Sequence, residues 1–66
     1  MNIKQIKKEV LKGEIESFST FYFYKVVYIN YKKGPCVKIG PLDSGEKFID
    51  FVRFLNEHNV KFYPSL

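Results

Sequence analysis

Apolar positions along the 66-residue chain recur first at helical spacing, then as a dense aromatic and β-branched run, then at helical spacing again. In NIKQIKKEVLKG (2–13), Ile3, Ile6 and Val10 fall at i, i+3 and i+7 and share one face. Lys4, Lys8 and Lys12 form an opposed row at i, i+4 and i+8. This spacing predicts a short helix. Asn2 is placed to cap its start, with Gln5 three positions on completing a capping box, and Gly13 suits a left-handed stop. A helix of about eleven residues is marginal alone in water, so it must dock by its apolar face.

The next segment, 15–33, contains no Gly or Pro and is dominated by Phe, Tyr, Val and Ile, the composition of strand. Within it, FSTFYFYKVVYINYKK (18–33) carries seven aromatic rings in sixteen residues. As one long strand, it alternates Phe21, Phe23, Lys25, Val27, Ile29 and Tyr31 on one face with Tyr22, Tyr24, Val26, Tyr28 and Asn30 on the other. The first face is the drier and is expected to meet the helices. The second carries tyrosines, whose hydroxyls tolerate water. Lys32-Lys33-Gly34-Pro35 reads as a turn, and CVKIG (36–40) as a shorter strand antiparallel to the end of the first.

PLDSGEKFIDFVRFLNEHN (41–59) predicts a second helix. Asp43 with Glu46 three residues on has the form of a capping box, with Ser44 the other available cap. Phe48, Phe51, Val52 and Leu55 share a face, Ile49 widens that stripe, and Phe54 falls off it. The helix should end near His58, with Asn59 as a left-handed cap, and 60–63 (VKFY) form a last strand ended by Pro64. The expected architecture is a single α+β domain over 1–66 in the order α-β-β-α-β. It has two layers, with a long N-terminal strand in an antiparallel hairpin and both helices on one face of a three-stranded sheet. The crossover through the second helix should lay the last strand parallel to a sheet strand.

The run VKIGPLDSGEKFIDFVRFLNEHNVKFY resembles the second half of a SPOR domain, in which a strand ends in Gly-Pro-aromatic, a helix follows and a last strand closes the sheet. Gly40-Pro41 matches, Leu42 stands where the family has an aromatic, and the family's first strand has no counterpart here. The resemblance covers fewer than half the residues and implies strand–helix–strand topology. SPOR domains bind peptidoglycan outside the cytoplasm. No apolar run with a cleavage site follows Met1 in this chain, and the expected location is the cytoplasm of the host cell.

Cysteine and histidine counts narrow the chemistry. Cys36 is the one cysteine and His58 the one histidine, so an intrachain disulfide and a cysteine-rich zinc site are excluded, and no metal or cofactor is expected. A nucleophile–base pair would need His58 or a carboxylate beside Cys36 or a serine. His58 at a helix C-terminus is explained by the helix dipole, and Cys36 by a small half-buried role. Glu14 and Glu16 lie two apart without a motif that makes them an acid–base pair. The segment 40–45 precedes a helix but lacks the glycine spacing and lysine–hydroxyl pair of a phosphate loop. An enzyme is not expected.

Net charge is +4, which permits nucleic acid without requiring it. One reading is therefore a small basic nucleic-acid-binding protein using Lys4, Lys8, Lys12, Lys32 and Lys33, with Tyr22, Tyr24 and Tyr28 as stacking platforms. The favoured reading is protein–protein association. A strand over 18–31 would run roughly 45 Å, whereas its hairpin partner reaches only the 26–31 end. The 18–24 half is then left without a partner in its own chain. Phe18, Phe21, Tyr22, Tyr24 and Tyr28 are the expected contact residues, and strand addition would give a homodimer or capture a target. In brevity and in Lys, Ile, Tyr, Phe and Asn content the chain looks like accessory proteins of phages and mobile elements in AT-rich genomes. Many of those inhibit a host enzyme or defence complex by occupying a site. No membrane partner is expected.

Overall fold

The computed structural model describes residues 3–64. Helix α1 (Ile3–Leu11) is followed by strand β1 (Ile15–Phe21), a single 3-10 turn (Tyr22–Tyr24) and strand β2 (Val26–Tyr31). Strand β3 (Cys36–Ile39), helix α2 (Gly45–Glu57) and strand β4 (Lys61–Phe62) complete the chain. The sheet order is β3-β2-β1-β4; β1–β2 and β2–β3 are antiparallel and β4 runs parallel to β1. The α+β class, the β2–β3 hairpin and the parallel last strand all agree with the sequence. The sheet has four strands, not three.

The extra strand arises because the long strand expected over 18–31 folds back on itself. The turn is made by Tyr22-Phe23-Tyr24, with Lys25 in the left-handed region (φ 52°) and its amide donating to the Tyr22 carbonyl. Phe21 pairs with Val26 and Phe18 with Ile29, so the paired residue numbers sum to an odd value. Odd positions on β1 therefore share a face with even positions on β2, and the alternation inverts across the turn. A bulge between Ile15 and Ser17 inverts it once more, returning Ile15 to the side of Tyr31. Phe21 consequently sits on the face away from the helices, opposite to expectation, whereas Val27, Ile29 and Tyr31 meet the helices as expected.

The core lies between that inner face and the helices. Ile6 and Val10 of α1, Phe48, Phe51 and Leu55 of α2, and Ile15, Phe18, Val27, Ile29 and Ile39 of the sheet form one buried cluster. Each helix brings the apolar stripe its sequence spacing defines, except that Ile49 is half exposed and does not widen the stripe of α2. Phe54 meets another element: Lys7 of α1 lies 5.0 Å from its ring centroid, and His58 stacks on it at 4.1 Å. The Tyr31 hydroxyl donates to the Glu9 carboxylate and ties β2 to α1.

Both helices end in the six-to-one and five-to-two bonds of a Schellman motif. In α1 the Glu14 amide donates to the Glu9 carbonyl and the Gly13 amide to Val10, with Gly13 at φ 75°. In α2 the Val60 amide donates to Leu55 and the Asn59 amide to Asn56, with Asn59 at φ 62°. The start of α2 is capped by Ser44, whose hydroxyl accepts from the Lys47 amide at 3.2 Å. Asp43 instead pairs with the Lys47 ammonium at 3.3 Å. The proposed Asn2 cap lies outside the described residues.

Candidate binding surfaces

The hairpin β1–β2 separates two ends of the molecule by about 20 Å, the length of a six- or seven-residue strand. At the end where β1 begins, Gly13, Glu14, Tyr31, Lys32 and Lys33 line a shallow hollow. At the other end stands the turn Tyr22-Phe23-Tyr24, in which all three rings are exposed, by 65%, 96% and 69%. The aromatic run of the sequence is thus divided among the core, the turn and the open sheet face.

The turn is braced. The Leu42 amide donates to the Lys25 carbonyl at 2.9 Å, joining the β3–α2 loop to the turn. Gly40 makes this approach possible: it sits at φ 111°, and a Cβ there would lie 2.6 Å from the Lys25 carbonyl oxygen and 3.0 Å from the Leu42 nitrogen. On the helix side, the Tyr22 and Phe48 rings meet edge to face with centroids 5.1 Å apart. Tyr22 also lines a hollow along α2 together with Ile49, Val52, Arg53, Asn56 and Glu57. Phe23, between Tyr22 and Tyr24 in the chain, lines neither this hollow nor the one on the open sheet face.

The open sheet face is the side opposite the helices. Phe21, Tyr24, Val26, Tyr28, Lys38 and Pro41 line a hollow of about 340 Å³ on it. Phe21 and Tyr28 meet edge to face at 5.5 Å and form two walls nearly at right angles. Further along, the Asn30 amide donates to the Ser17 hydroxyl at 3.0 Å. Register puts Lys38 beside Tyr28, and Lys61 beside Ser17.

Several sequence expectations change here. Phe18 is fully buried, paired to Ile29 and packed 5.3 Å from the Phe62 ring, so it is core and cannot touch a partner. Phe21, Tyr24 and Tyr28 share the open face, whereas Tyr22 turns toward α2. The 18–24 segment is not left without a partner. Residues 18–21 pair with β2 on one side, and Ser17 and Phe18 pair with β4 on the other, so pairing within the chain occupies one whole side of the segment where strand addition was expected and the start of its second side.

The lysines also divide. Lys4, Lys8 and Lys12 are exposed on α1, and Lys32 and Lys33 stand beside Tyr31 at the end opposite the aromatic turn. They form no single groove with Tyr24 and Tyr28. Phe23, the most exposed ring, was missed because a long strand would have turned it inward. The signal that could have found it, a glycine or asparagine at the turn, is absent, since Lys25 takes the left-handed position.

Cys36 is exposed at the start of β3. His58 Nδ1 donates to the Phe54 carbonyl at 2.9 Å as part of the α2 terminus. Among the described residues there is no cluster of three or more His, Cys, Asp or Glu placed to hold a metal, and no helix long and apolar enough to cross a membrane. No family model, curated protein or solved structure matches the chain. The likeness of residues 37–63 to half a SPOR domain is accordingly one of local strand–helix–strand order.

Proposed function

We propose that this small α+β domain is a non-enzymatic binding module that engages another protein through its aromatic turn. The observation that carries the reading is Phe23, 96% exposed at the apex of a turn held by the Leu42–Lys25 bond and the Tyr22–Phe48 contact. A large apolar ring in water costs the free protein, and a rigid mounting lowers the entropy lost on docking. Aromatic anchors of this kind, seated in a partner's pocket, supply most of the binding energy at protein interfaces. Tyr22, Tyr24 and half-exposed Ile49 surround the apex as the remainder of the patch. The composition shared with phage accessory proteins suggests the mode of action, which is occupancy of a functional surface on a host enzyme or defence complex.

A second copy is the other protein this patch suits. The knob of Phe23 and the hollow lined by Tyr22, Ile49 and Val52 are neighbours, and a twofold dimer needs such a self-complementary pair on one patch. The test of the main reading is capture of partners from host lysate on immobilised protein. Recovery should fall at least tenfold with Phe23→Ser and stay unchanged with Lys8→Ser on α1. Equal recovery with both variants would remove the turn from the interface.

A further inference from the structure

We infer that the open face of the sheet binds single-stranded nucleic acid, with one base seated in the Phe21–Tyr24–Tyr28 hollow and its backbone phosphate on Lys38. This hollow adjoins the aromatic apex and shares Tyr24 with it, but it excludes Phe23, and the inference does not depend on the protein-binding reading.

Shape comes first. A hollow of about 340 Å³ floored by Val26 and walled by two rings at 77° has the size and the apolar lining of a small-molecule or nucleobase site. A base laid on one ring meets the edge of the other, so a single planar group is favoured over a row of stacked ones. Such stacking tolerates any base, because every base has a π-face.

Charge selects the anionic ligand. Among the strand residues on this face, Ser17, Ser19, Phe21, Val26, Tyr28, Asn30, Cys36, Lys38 and Lys61, the only charged groups are two lysines. Lys38 on β3 lines the hollow itself. Lys61 on β4 lies three strand spacings across at ~4.8 Å each and two residues along, about 16 Å away. At that corner Glu16 of the bulge and Lys32 join Lys61 around a separate hollow, leaving one net positive charge. The other carboxylates lie outside the strands and do not line the hollow: Glu9 is on α1, Glu14 precedes β1, Asp43 is in the loop before α2, and Glu46, Asp50 and Glu57 are on α2. A backbone crossing the strands from β3 to β4 would meet an ammonium at each side with aromatic and hydroxyl groups between. Duplex DNA holds its bases stacked and offers none to the hollow.

The test is fluorescence anisotropy of a labelled twelve-nucleotide oligothymidine with the intact 66-residue protein. With two phosphate contacts on a single strand, affinity should fall about sevenfold between about 50 and 200 mM salt. Lys38→Glu should weaken binding on the order of tenfold at the lower salt and cut the salt effect to about threefold. Tyr28→Ala should weaken it roughly fivefold or more while Tyr28→Phe does not. Lys8→Glu makes the same change in net charge on the opposite layer and should leave binding within twofold. Phe23→Ser should bind the oligonucleotide normally, which separates this site from the protein-binding apex. The inference is overturned by no binding at low salt, by equal losses from Lys38→Glu and Lys8→Glu, or by a duplex or free mononucleotide binding as tightly as the strand. A dimer that covers the open face would also overturn it.

Discussion

Phe18 and Phe23 stand five positions apart in the same aromatic run, yet one is fully buried and the other 96% exposed. The difference comes from the left-handed backbone of Lys25 and the turn it closes. Lysine has no special preference for that conformation, so no residue type announces the turn in the sequence. Glycine or asparagine would have announced it, as Gly13 and Asn59 do at the helix ends. The two phenylalanines should therefore answer the same substitution differently. Phe18→Ala empties a site lined by Ile29 and Phe62 and should cost about 3–5 kcal/mol. Total stability for a domain of this length is roughly 3–10 kcal/mol, so this variant should be largely unfolded or close to it. Phe23→Ala should stay within about 0.5 kcal/mol of the parent. Urea denaturation followed by circular dichroism decides the point, and equal losses would contradict the assignment of Phe23 to the surface.

At the scale of elements, the helices were legible and the sheet was half legible. Helical spacing together with capping residues places both helices within two residues of their ends, because side-chain period and backbone termini agree there. The β2–β3 hairpin was legible through Gly34-Pro35. The β1–β2 hairpin was not, since a period-two pattern continues through a turn whose residues are themselves aromatic, and only long-range pairing fixes where the chain reverses. The candidate site inherits this split. Tyr24 and Tyr28 were named from the sequence and do face solvent or the open sheet face, while Phe23 and Lys38 were not named.

The junction of α1 with β2 also carries a pH dependence. Burial, then the hydrogen bond to Glu9, then the charges of Glu9 and Glu14 push the Tyr31 hydroxyl up to about 12 from its ordinary 10. The folded state thus favours the protonated phenol. Its contribution is complete below pH 10 and is lost as pH rises from about 10 to about 12. Absorbance titration of the phenolates should show one tyrosine ionising last, and Tyr31→Phe should abolish that late step. The same variant should lose about 1 kcal/mol at neutral pH through the missing hydrogen bond. A late step that survives in Tyr31→Phe would assign it to another ring.

The whole molecule distributes its surface chemistry by direction. The three most exposed aromatic rings gather at the 22–24 turn, Lys32 and Lys33 stand at the other end with Lys4, Lys8 and Lys12 exposed on α1, and Glu46, Asp50 and Glu57 lie along α2. Sheet edges are short, four residues on β3 and two on β4, with Lys38 and Lys61 set into them, which disfavours open-ended pairing between copies. Self-association is then left to the aromatic end. A twofold contact in which each Phe23 enters the other copy's hollow buries roughly 800 Å² in all, counting two aromatic rings and the walls that receive them. That falls short of the ~1,000 Å² expected of a stable interface. Sedimentation at about 10 µM should accordingly find a monomer, with the average mass rising only as the concentration approaches the millimolar range, where weak contacts of about 4 kcal/mol become populated. Phe23→Ser should remove that rise. A dimer that is complete at 10 µM and survives the substitution would shift the self-association surface away from the turn and leave the apex to a foreign protein alone. A dimer that is complete and lost on substitution would make a second copy the principal partner of Phe23.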